Sequence, residues 1–396
     1  MRFIHILLAF FIFAVNLSTA ATSCAVGLMV AFTLYRGFRY RDWPRIDKQI
    51  AYLFLAYFVI QIIVAALSIN PLISFREVLG EIHRCFPLFF AMAYIKSQDH
   101  MKYIILAFLF SVSLNDLVAL IQHYYWNHER VTALAHTPTF YASFLLMQIP
   151  FLIWIITLKF MPTWSRAFSA VLTIISMLCL IFTVTRGAWL AFLATSIVFI
   201  ILNEKWRSKS IKYFAAAIIL SIIVIMSVPN IQSRAATLWN PDYTSNSERL
   251  LMWQSSLEII HDYPIHGIGQ KMFQLMYNTK YISPFARERS EDYEKGHSHP
   301  HNNFFNAATE GGFIGLFAFV MLHGYFFKLL YLLHKEEHSR MKLSCGMVGF
   351  LMLLALQLEG LTDTNMNQVP IMREYWFLIG MLLVSGKFID NVHQMR

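Results

Sequence analysis

Residues 165–203 read SRAFSAVLTIISMLCLIFTVTRGAWLAFLATSIVFIILN. Two apolar stretches, 165–184 and 188–203, follow each other here with only Thr185-Arg186-Gly187 between them. A helix needs about 20 predominantly apolar residues to cross the hydrocarbon core of a bilayer. We therefore predict two adjacent membrane-spanning helices joined by a very short turn. This turn would place the Arg186 guanidinium at the membrane surface or just inside it.

The composition of the whole chain agrees with this prediction. Of its 396 residues, 57% are apolar and only 14% are charged, and the mean hydropathy is +0.51. Soluble globular domains are nearer half apolar and a quarter charged. The composition therefore excludes an ordinary soluble enzyme, a disordered chain and a DNA-binding module.

Apolar stretches recur along the chain and predict an all-α, polytopic membrane protein. The predicted spans number about twelve: 3–20, 22–36, 50–68, 78–95, 102–122, 139–158, 165–184, 188–203, 211–228, 304–333, 341–358 and 371–389. The first stretch has an alternative interpretation, because Arg2, an apolar run and small residues at 18–21 are also typical of a signal peptide. A second apolar run follows at once, as expected of a helical hairpin.

The positions of lysine and arginine predict the orientation. Twelve spans put both termini on one side, and that side holds 20 of the 32 basic residues. The long loop 229–303 on the other side holds seven. The remaining basic residues lie in short segments on that other side and are Arg76, Arg84, Arg130, Arg186 and Arg373. Because cytoplasmic loops are enriched in basic residues, both termini are predicted to be cytoplasmic. The formal charge of +9 then reflects topology, and a nucleic-acid partner is not expected.

The spans divide the chain into three parts. Residues 1–228 contain predicted spans one to nine, and residues 229–303 form one long outer loop. Residues 304–396 contain spans ten to twelve and a cytoplasmic tail. A loop of this length is usually functional or disordered.

Two local patterns indicate order within the long loop. Ser247 and Glu248 precede apolar residues at helical spacing, which predicts a capped amphipathic helix able to lie on a membrane surface. Further along, Pro264, Gly267 and Gly269 predict a tight turn.

Two arginines on the outer side are candidates for anion binding. A guanidinium can bind two phosphate oxygens at once, and Arg186 and Arg249 are placed to offer one each. Arg186 has a structural alternative as a side chain that extends to the membrane interface. Arg249 has a structural alternative as an ion-pair partner of Glu248 or Asp242.

Other charged residues fall within or beside the spans. Arg84 lies deep in the fourth span with Glu81 and His83, and such residues either pair with one another or face a hydrated cavity. The outer ends of the last two spans carry Asp363, Arg373 and Glu374. These three could pair with one another or line the same cavity.

The densest polar cluster is residues 296–303, GHSHPHNN. Its three alternating histidines, His297, His299 and His301, could bind a metal, although no carboxylate pattern supports a catalytic metal site. His301 abuts the membrane and could instead act as a general base, or simply cap the next span. The glycines that follow, Gly312 among them, are expected to lie inside a helix and permit close packing.

These motifs together resemble the bacterial O-antigen ligase and polymerase superfamily. His301-Asn302 is followed by nine residues and then by Gly312-x-x-Gly315, as in the ligases. The family's P-x-x-G-x-G turn is similar to residues 264–269. Arg186 and Arg249 resemble the two functional arginines of the ligases. One departure is Leu316-Phe317, where the family often has small hydroxyl residues.

The resemblance implies a GT-C-like glycosyltransferase that needs neither metal nor cofactor. An O-antigen ligase moves a finished glycan from undecaprenyl pyrophosphate to a sugar hydroxyl of lipid A–core, at the periplasmic face of the inner membrane. His301, Arg186 and Arg249 would be the catalytic residues. Our hypothesis is that the acceptor attacks the anomeric carbon directly, which would invert its configuration. Further candidates for contacts to pyrophosphate or sugar are Arg84, His299, Asn302, Asp363 and Arg373.

Three alternatives remain open. A polymerase uses the same lipid-linked donor and has a similar size and topology. A protein O-glycosylating transferase commonly carries a large periplasmic region near its C-terminus, which is not expected here. A polytopic transporter or flippase would also explain the spans, but it predicts interrupted helices in paired halves, and the sequence shows no such pairing.

Overall fold

The computed structural model describes residues 2–203, 207–237, 240, 243–289, 298–337 and 343–394. Within these residues the chain forms helices and no strand, which confirms the all-α prediction.

The helices can be grouped by the three parts of the chain predicted from the sequence. The first part contains α1 (Arg2–Ala14), α2 (Thr19–Tyr40), α3 (Lys48–Ala66), α4 (Pro71–Tyr94), α5 (Gln98–Tyr124), α6 (Pro138–Thr157), α7 (Thr163–Phe182), α8 (Arg186–Leu202) and α9 (Arg207–Ser227). The outer loop contains α10 (Pro229–Ala236), α11 (Thr244–Asp262), α12 (Phe273–Met276), a π-helical turn (Tyr277–Tyr281) and α13 (Pro284–Arg289). The last part contains α14 (Asn303–Glu337), α15 (Cys345–Glu359) and α16 (Val369–Gln394).

The helices bear out the expectation of a multi-pass membrane protein, since each predicted span overlaps one of them. The first predicted span, 3–20, is too long, because α1 ends at Ala14 and α2 begins at Thr19. Seven helices are long and apolar enough to cross a bilayer: α2, α3, α5, α6, α7, α14 and α16. Three shorter helices, α1, α8 and α15, are also apolar. The other two predicted spans coincide with α9 and with α4, which carries four charged residues.

Polar side chains determine where several of these helices begin. A helix leaves its first backbone N–H groups without internal partners, and a short polar side chain at the N-cap can accept from them. The side chains that do so here are Ser18, Asp47, Asn70, Ser97, Thr137 and Ser344. Pro71 and Pro138 follow two of these caps, at a position where a missing N–H is tolerated. The caps therefore fix where these connecting segments end.

Gly312 breaks α14 into two segments. It has φ 59° and ψ −161°, a conformation that is essentially restricted to glycine. Four backbone hydrogen bonds of 2.8–3.2 Å join the turn at 264–269 to residues 309–314, on both sides of the break. We expected Gly312 to lie inside a helix and permit close packing; it does permit a close approach, but by the loop turn and at a break in the helix. The loop turn pairs with the backbone at the break, and a residue with a side chain would not fit there.

Replacement of Gly312 by alanine is expected to lower the Tm strongly or to prevent folding. A Cβ at this position would lie 2.3 Å from the carbonyl oxygen of Ile265, and the backbone strain adds about 1–3 kcal/mol. Gly311→Ala is the matched control, because its Cβ would meet no atom within 4 Å. Thermal unfolding of both variants in detergent checks the prediction. Equal Tm values for the two would contradict it.

The loop helix α11 differs from the prediction at its start. It begins at Thr244 without a side-chain cap, so the expectation that Ser247 caps it was wrong, and Arg249 lies in the second turn. Arg186 of α8 donates hydrogen bonds to Ser245 and Asn246 in the first turn. This long-range contact, which no local pattern signals, ties the first turn of α11 to α8.

One face of α11 packs against the protein. Its Met252 and Ile259 are buried, whereas Leu250 and Leu257 are exposed. The Trp253 indole donates to the Pro300 carbonyl oxygen at 3.0 Å. These contacts hold α11 close to the residues that precede α14.

Candidate active site

The three predicted catalytic residues line one cavity. Arg186 at the start of α8, Arg249 in α11 and His301 just before α14 all face it. The volume of the cavity is about 330 Å³. We call it the arginine cavity, and its charged and histidine side chains are Arg130, Arg186, Arg234, Glu248, Arg249, His301, Glu359 and Asp363. It lies where α6, α8 and α14 begin and α15 ends, which is one end of the helix bundle.

Arg186 is buried and is held by neutral groups. Its guanidinium donates to the carbonyl and hydroxyl oxygens of Thr237 at 2.6 and 2.9 Å. It also donates to Ser245 Oγ at 2.9 Å and Asn246 Oδ1 at 2.7 Å, and it lies 5.1 Å from the centre of the Tyr243 ring. No carboxylate among the described residues forms an ion pair with it. Its position within the protein does not fit the alternative of a side chain that extends to the membrane interface.

Arg249 makes no hydrogen bond or ion pair with any residue that the structure describes. The alternative of a pair with Glu248 is therefore not observed, and Asp242 lies outside the described residues. Burial lowers the pKa of Arg249, with the nearby Asp363 carboxylate opposing this and Arg234 adding to it. A partly buried guanidinium with five N–H donors in a cavity has the capacity to bind an anion.

Two further arginines line the same cavity and were not singled out from the sequence. Burial and the neighbouring Arg234, Arg249 and Arg186 lower the pKa of Arg130. Arg130 Nε donates to the Thr183 carbonyl oxygen at 3.2 Å. The Arg234 guanidinium lies 4.9 Å from the centre of the Tyr243 ring. Arg130 was one of the few arginines in short outer segments, and this was the signal that could have identified it.

His301 forms a pair with a buried carboxylate. Its Nδ1 lies 3.2 Å from Asp363 Oδ1, and the backbone N–H of Thr364 donates to the same oxygen at 2.7 Å. Burial raises the pKa of Asp363, but the His301 hydrogen bond and charge, the charge of His299 and the Thr364 N–H outweigh it and lower this pKa to about 2. An ionised carboxylate at Nδ1 favours the tautomer that carries its proton there, which leaves Nε2 as the basic nitrogen.

The backbone at His301 is held in an uncommon conformation. Its φ is 49°, in the left-handed region that side chains other than glycine rarely adopt. Such strain persists only where surrounding contacts impose it, and it is concentrated at functional sites. The His299 ring packs edge-on against His301, with ring centres 4.5 Å apart.

Among the described residues, one group of side chains around His301 could hold a metal ion. His299, His301 and Asp363 each offer one ligand atom, and these atoms lie within 4.8 Å of one another. Three protein ligands with a fourth position for water or substrate is a catalytic zinc arrangement. His297, the third histidine of the predicted tract, lies outside the described residues.

Arg84 lies in a different cavity from His301. It lines a second cavity between α3, α4, α14 and α16, which we call the polar chamber. Arg84 Nη2 lies 2.5 Å from Glu77 Oε1, and Nη1 lies 3.7 Å from Glu81 Oε1. Both expectations for Arg84, carboxylate partners and a cavity, therefore hold together, but the residue does not line the arginine cavity.

Two other candidates, Arg373 and Asn302, line neither cavity and make structural contacts instead. Arg373 is fully buried and donates to Thr22 Oγ1 at 2.8 Å and Ser23 Oγ at 3.0 Å, which ties α16 to α2. The Asn302 side chain accepts from the backbone N–H groups of Phe304 and Phe305, and so caps α14.

Asp363, Arg373 and Glu374 do not pair with one another. Asp363 is bound to His301, Arg373 to α2, and Glu374 accepts from Gln148 Nε2 at 2.9 Å. Only Asp363 of the three lines the arginine cavity.

This fold and cavity define a multi-pass membrane protein with an arginine-rich site at one end of its helices. Residues 168–320 match the family model described as O-antigen ligase. This segment of the chain is therefore similar to the O-antigen ligases, in agreement with the resemblance drawn from its motifs. Members of this family transfer glycans in lipopolysaccharide biosynthesis, using lipid-linked polysaccharides in a membrane. No curated protein matches the chain.

Proposed function

We propose that the protein is an O-antigen ligase. It transfers O-polysaccharide from undecaprenyl pyrophosphate to a sugar hydroxyl of lipid A–core, as a step in lipopolysaccharide biosynthesis. The placement of Arg186, Arg249 and His301 around one cavity carries this proposal. All three lie within the matched segment, although they come from widely separated positions in the chain.

The arginine cavity suits a pyrophosphate leaving group. Negative charge grows on the bridging oxygen as the bond between it and the anomeric carbon breaks. Cationic donors fixed where that charge develops lower the barrier. Arg249, which has no hydrogen-bond partner among the described residues, would bind the pyrophosphate directly. Arg186 would add positive charge while it holds Thr237, Ser245 and Asn246 in place.

His301 is proposed to activate the acceptor. Its Nε2 takes the proton of the acceptor hydroxyl, whose oxygen attacks the anomeric carbon. The bond from that carbon to the pyrophosphate oxygen breaks, and undecaprenyl pyrophosphate leaves with the electron pair. A single displacement of this kind inverts the anomeric configuration. Finding the same configuration in donor and product would overturn this step.

The proposed location follows from the charge distribution. Both termini would be cytoplasmic and the arginine cavity would face the periplasm, in the inner membrane. Undecaprenyl chains and membrane lipids would contact the exposed apolar faces of the helices. Each part of this topology is a proposal based on the basic residues and the apolar spans.

Reconstitution of the purified protein in lipid nanodiscs tests the proposed function. The two substrates are a lipid-linked glycan and lipid A–core from cells that lack O-antigen. Formation of glycan-bearing lipid A–core is the expected result. Longer glycan on the lipid carrier, with no transfer to lipid A–core, would instead make the protein a polymerase.

Asp363→Asn is expected to lower kcat by about 10²-fold, because the imidazole loses the carboxylate that fixes its tautomer and orientation. Asp363→Glu should recover part of the rate, since it restores a carboxylate. The KM for the donor should stay unchanged. Asp262→Asn is the control, because Asp262 also pairs with a cation, Lys280, but lies outside the cavity. A fall in the amount of folded protein with an unchanged kcat would contradict a positioning role.

Removal of divalent cations is expected to leave the transfer rate unchanged, because guanidinium groups supply the positive charge. The rate is compared before and after dialysis against EDTA. If EDTA abolishes the rate and Zn²⁺ or Mn²⁺ restores it, His299, His301 and Asp363 would be metal ligands instead, and the general-base role would be lost.

A further inference from the structure

The polar chamber contains buried polar atoms that the protein does not satisfy. Arg84 Nε, Gln270 Oε1, Asn306 Oδ1 and His323 Nε2 have no hydrogen-bond partner among the described residues. All four side chains line this chamber and are more than nine-tenths buried. A buried polar group without a partner is destabilising, because it has lost its hydrogen bonds to water. Four of them around one space indicate that something else occupies it.

The unsatisfied atoms require a ligand rich in hydrogen-bond donors. His323 Nδ1 lies 2.9 Å from the Phe319 carbonyl oxygen, which can only accept, so Nε2 is an acceptor. The Gln270 and Asn306 amide nitrogens donate to Gln61 and Glu310, so their oxygens face the chamber as acceptors. Three acceptor atoms and one donor, Arg84 Nε, therefore have no hydrogen-bond partner among the described residues. A group of adjacent hydroxyls meets this demand, because each hydroxyl can donate and accept.

The charge of the chamber is unsuited to pyrophosphate. Among the described residues that line it, the one cation is Arg84, which is already bound to Glu77 and Glu81. Glu310 adds another carboxylate to the lining. The aromatic walls include Tyr57 and Trp376. Apolar and aromatic surfaces with a few directed polar groups are typical of sites for small neutral ligands. The volume of the polar chamber is about 80 Å³. On the same measure, one water molecule needs about 10–15 Å³.

The chamber lies directly behind the proposed catalytic pair. His301 lines the arginine cavity, whereas Asn303, two residues later, lines the polar chamber. Likewise, Asp363 lines the former and Thr364 the latter. The wall between the two cavities is thus only a few residues thick.

We propose that the polar chamber binds one neutral sugar residue of the glycan acceptor, separately from the pyrophosphate site. This proposal rests on the proposed function, since it divides the two substrates of glycan transfer between the two cavities. The donor's anionic group takes the arginine cavity, and the acceptor is held by hydroxyl contacts to Gln270, Asn306 and His323.

Cys85 provides a direct readout of occupancy, because this free thiol lines the chamber. The full-length protein in nanodiscs is treated with methyl methanethiosulfonate, and each cysteine is followed by peptide mass spectrometry. Lipid A–core at ten times its Kd should slow modification of Cys85 about tenfold. Cys24, which is exposed, should react at an unchanged rate. An unchanged Cys85 rate, or equal protection by undecaprenyl pyrophosphate, would overturn the proposal.

A kinetic test decides the matter if Cys85 proves unreactive. His323→Phe keeps a ring of similar shape but removes Nε2, so the KM for lipid A–core should rise about tenfold. The kcat and the KM for the donor should not change. His334→Phe is the control, because it removes another buried histidine of α14 that lines neither cavity. An unchanged acceptor KM would mean that the chamber holds water only.

The two proposals fail in different ways. If wild-type protein extends glycan on the lipid carrier without transfer to lipid A–core, the ligase function fails. The acceptor is then a lipid-linked repeat unit, and the same Cys85 and His323 measurements are made with it. If wild-type protein does transfer to lipid A–core while both measurements are negative, only the chamber proposal fails.

Discussion

Replacement of His301 by asparagine is expected to lower the rate of glycan transfer by about 10²- to 10⁴-fold, the usual contribution of a general base. Asparagine has no basic nitrogen, so the acceptor hydroxyl keeps its proton. Asparagine also tolerates the left-handed backbone that His301 adopts, with φ 49°, better than most residues do. It is therefore a better test than alanine, which would add strain.

The kinetic loss should occur without a loss of folded protein. Asn302, the neighbouring residue, caps α14, so the variant's Tm is measured to show that this region is intact. His266→Asn is a suitable control, because His266 also lies in the outer loop but lines neither cavity. Transfer at the wild-type rate by folded His301→Asn protein would exclude His301 as the base.

Replacement of Arg249 by alanine is expected to lower kcat by about 10²- to 10³-fold, as is typical when one donor to a developing negative charge is removed. Arg249 makes no hydrogen bond to a described residue, so its loss should leave the fold intact. Arg249→Lys should recover only part of the rate, because an ammonium group keeps the charge but cannot donate to two phosphate oxygens in a fixed geometry.

Arg76→Ala is the matched control for Arg249→Ala. Arg76 is another arginine expected on the outer side, but it is exposed and lines neither cavity. It should transfer at the wild-type rate. If Arg249→Ala changes only the KM for lipid A–core and leaves kcat unaltered, Arg249 does not act on the leaving group.

The helices were predictable because the bilayer imposes a length and a polarity on each one. Residues 165–184 and 188–203 could be identified as spans from composition alone, and α7 and α8 occupy them within a few residues. Short polar residues such as Thr137 fix such boundaries by local hydrogen bonds. These signals lie within a few residues of what they determine, so a single sequence contains them.

The features that escaped prediction depend on contacts between distant residues. Asp363 lies 62 residues from His301, and Arg373 bonds to Thr22, 351 residues away. Arg186 bonds to the first turn of α11 through contacts 59 and 60 residues away. No local pattern specifies such partners, so the pairing of Asp363 with His301 had to come from the fold.

The break at Gly312 shows the same limit. Glycine permits a positive φ but does not require it, so the sequence alone was compatible with a continuous helix. The turn at 264–269 imposes the break by hydrogen-bonding to both sides of it. The resemblance to the O-antigen ligases depends on these glycines and on that turn, and the structure brings the two motifs together.

The most direct test of the central claim is a gel of lipopolysaccharide from cells that lack this gene, together with an assay of lipid-linked glycan. We predict that lipid A–core loses its glycan ladder while long glycan accumulates on the lipid carrier. The wild-type gene should restore the ladder, and the His301→Asn gene should not. A single repeat unit still present on lipid A–core, with no long glycan on the carrier, would contradict the ligase function and indicate a polymerase.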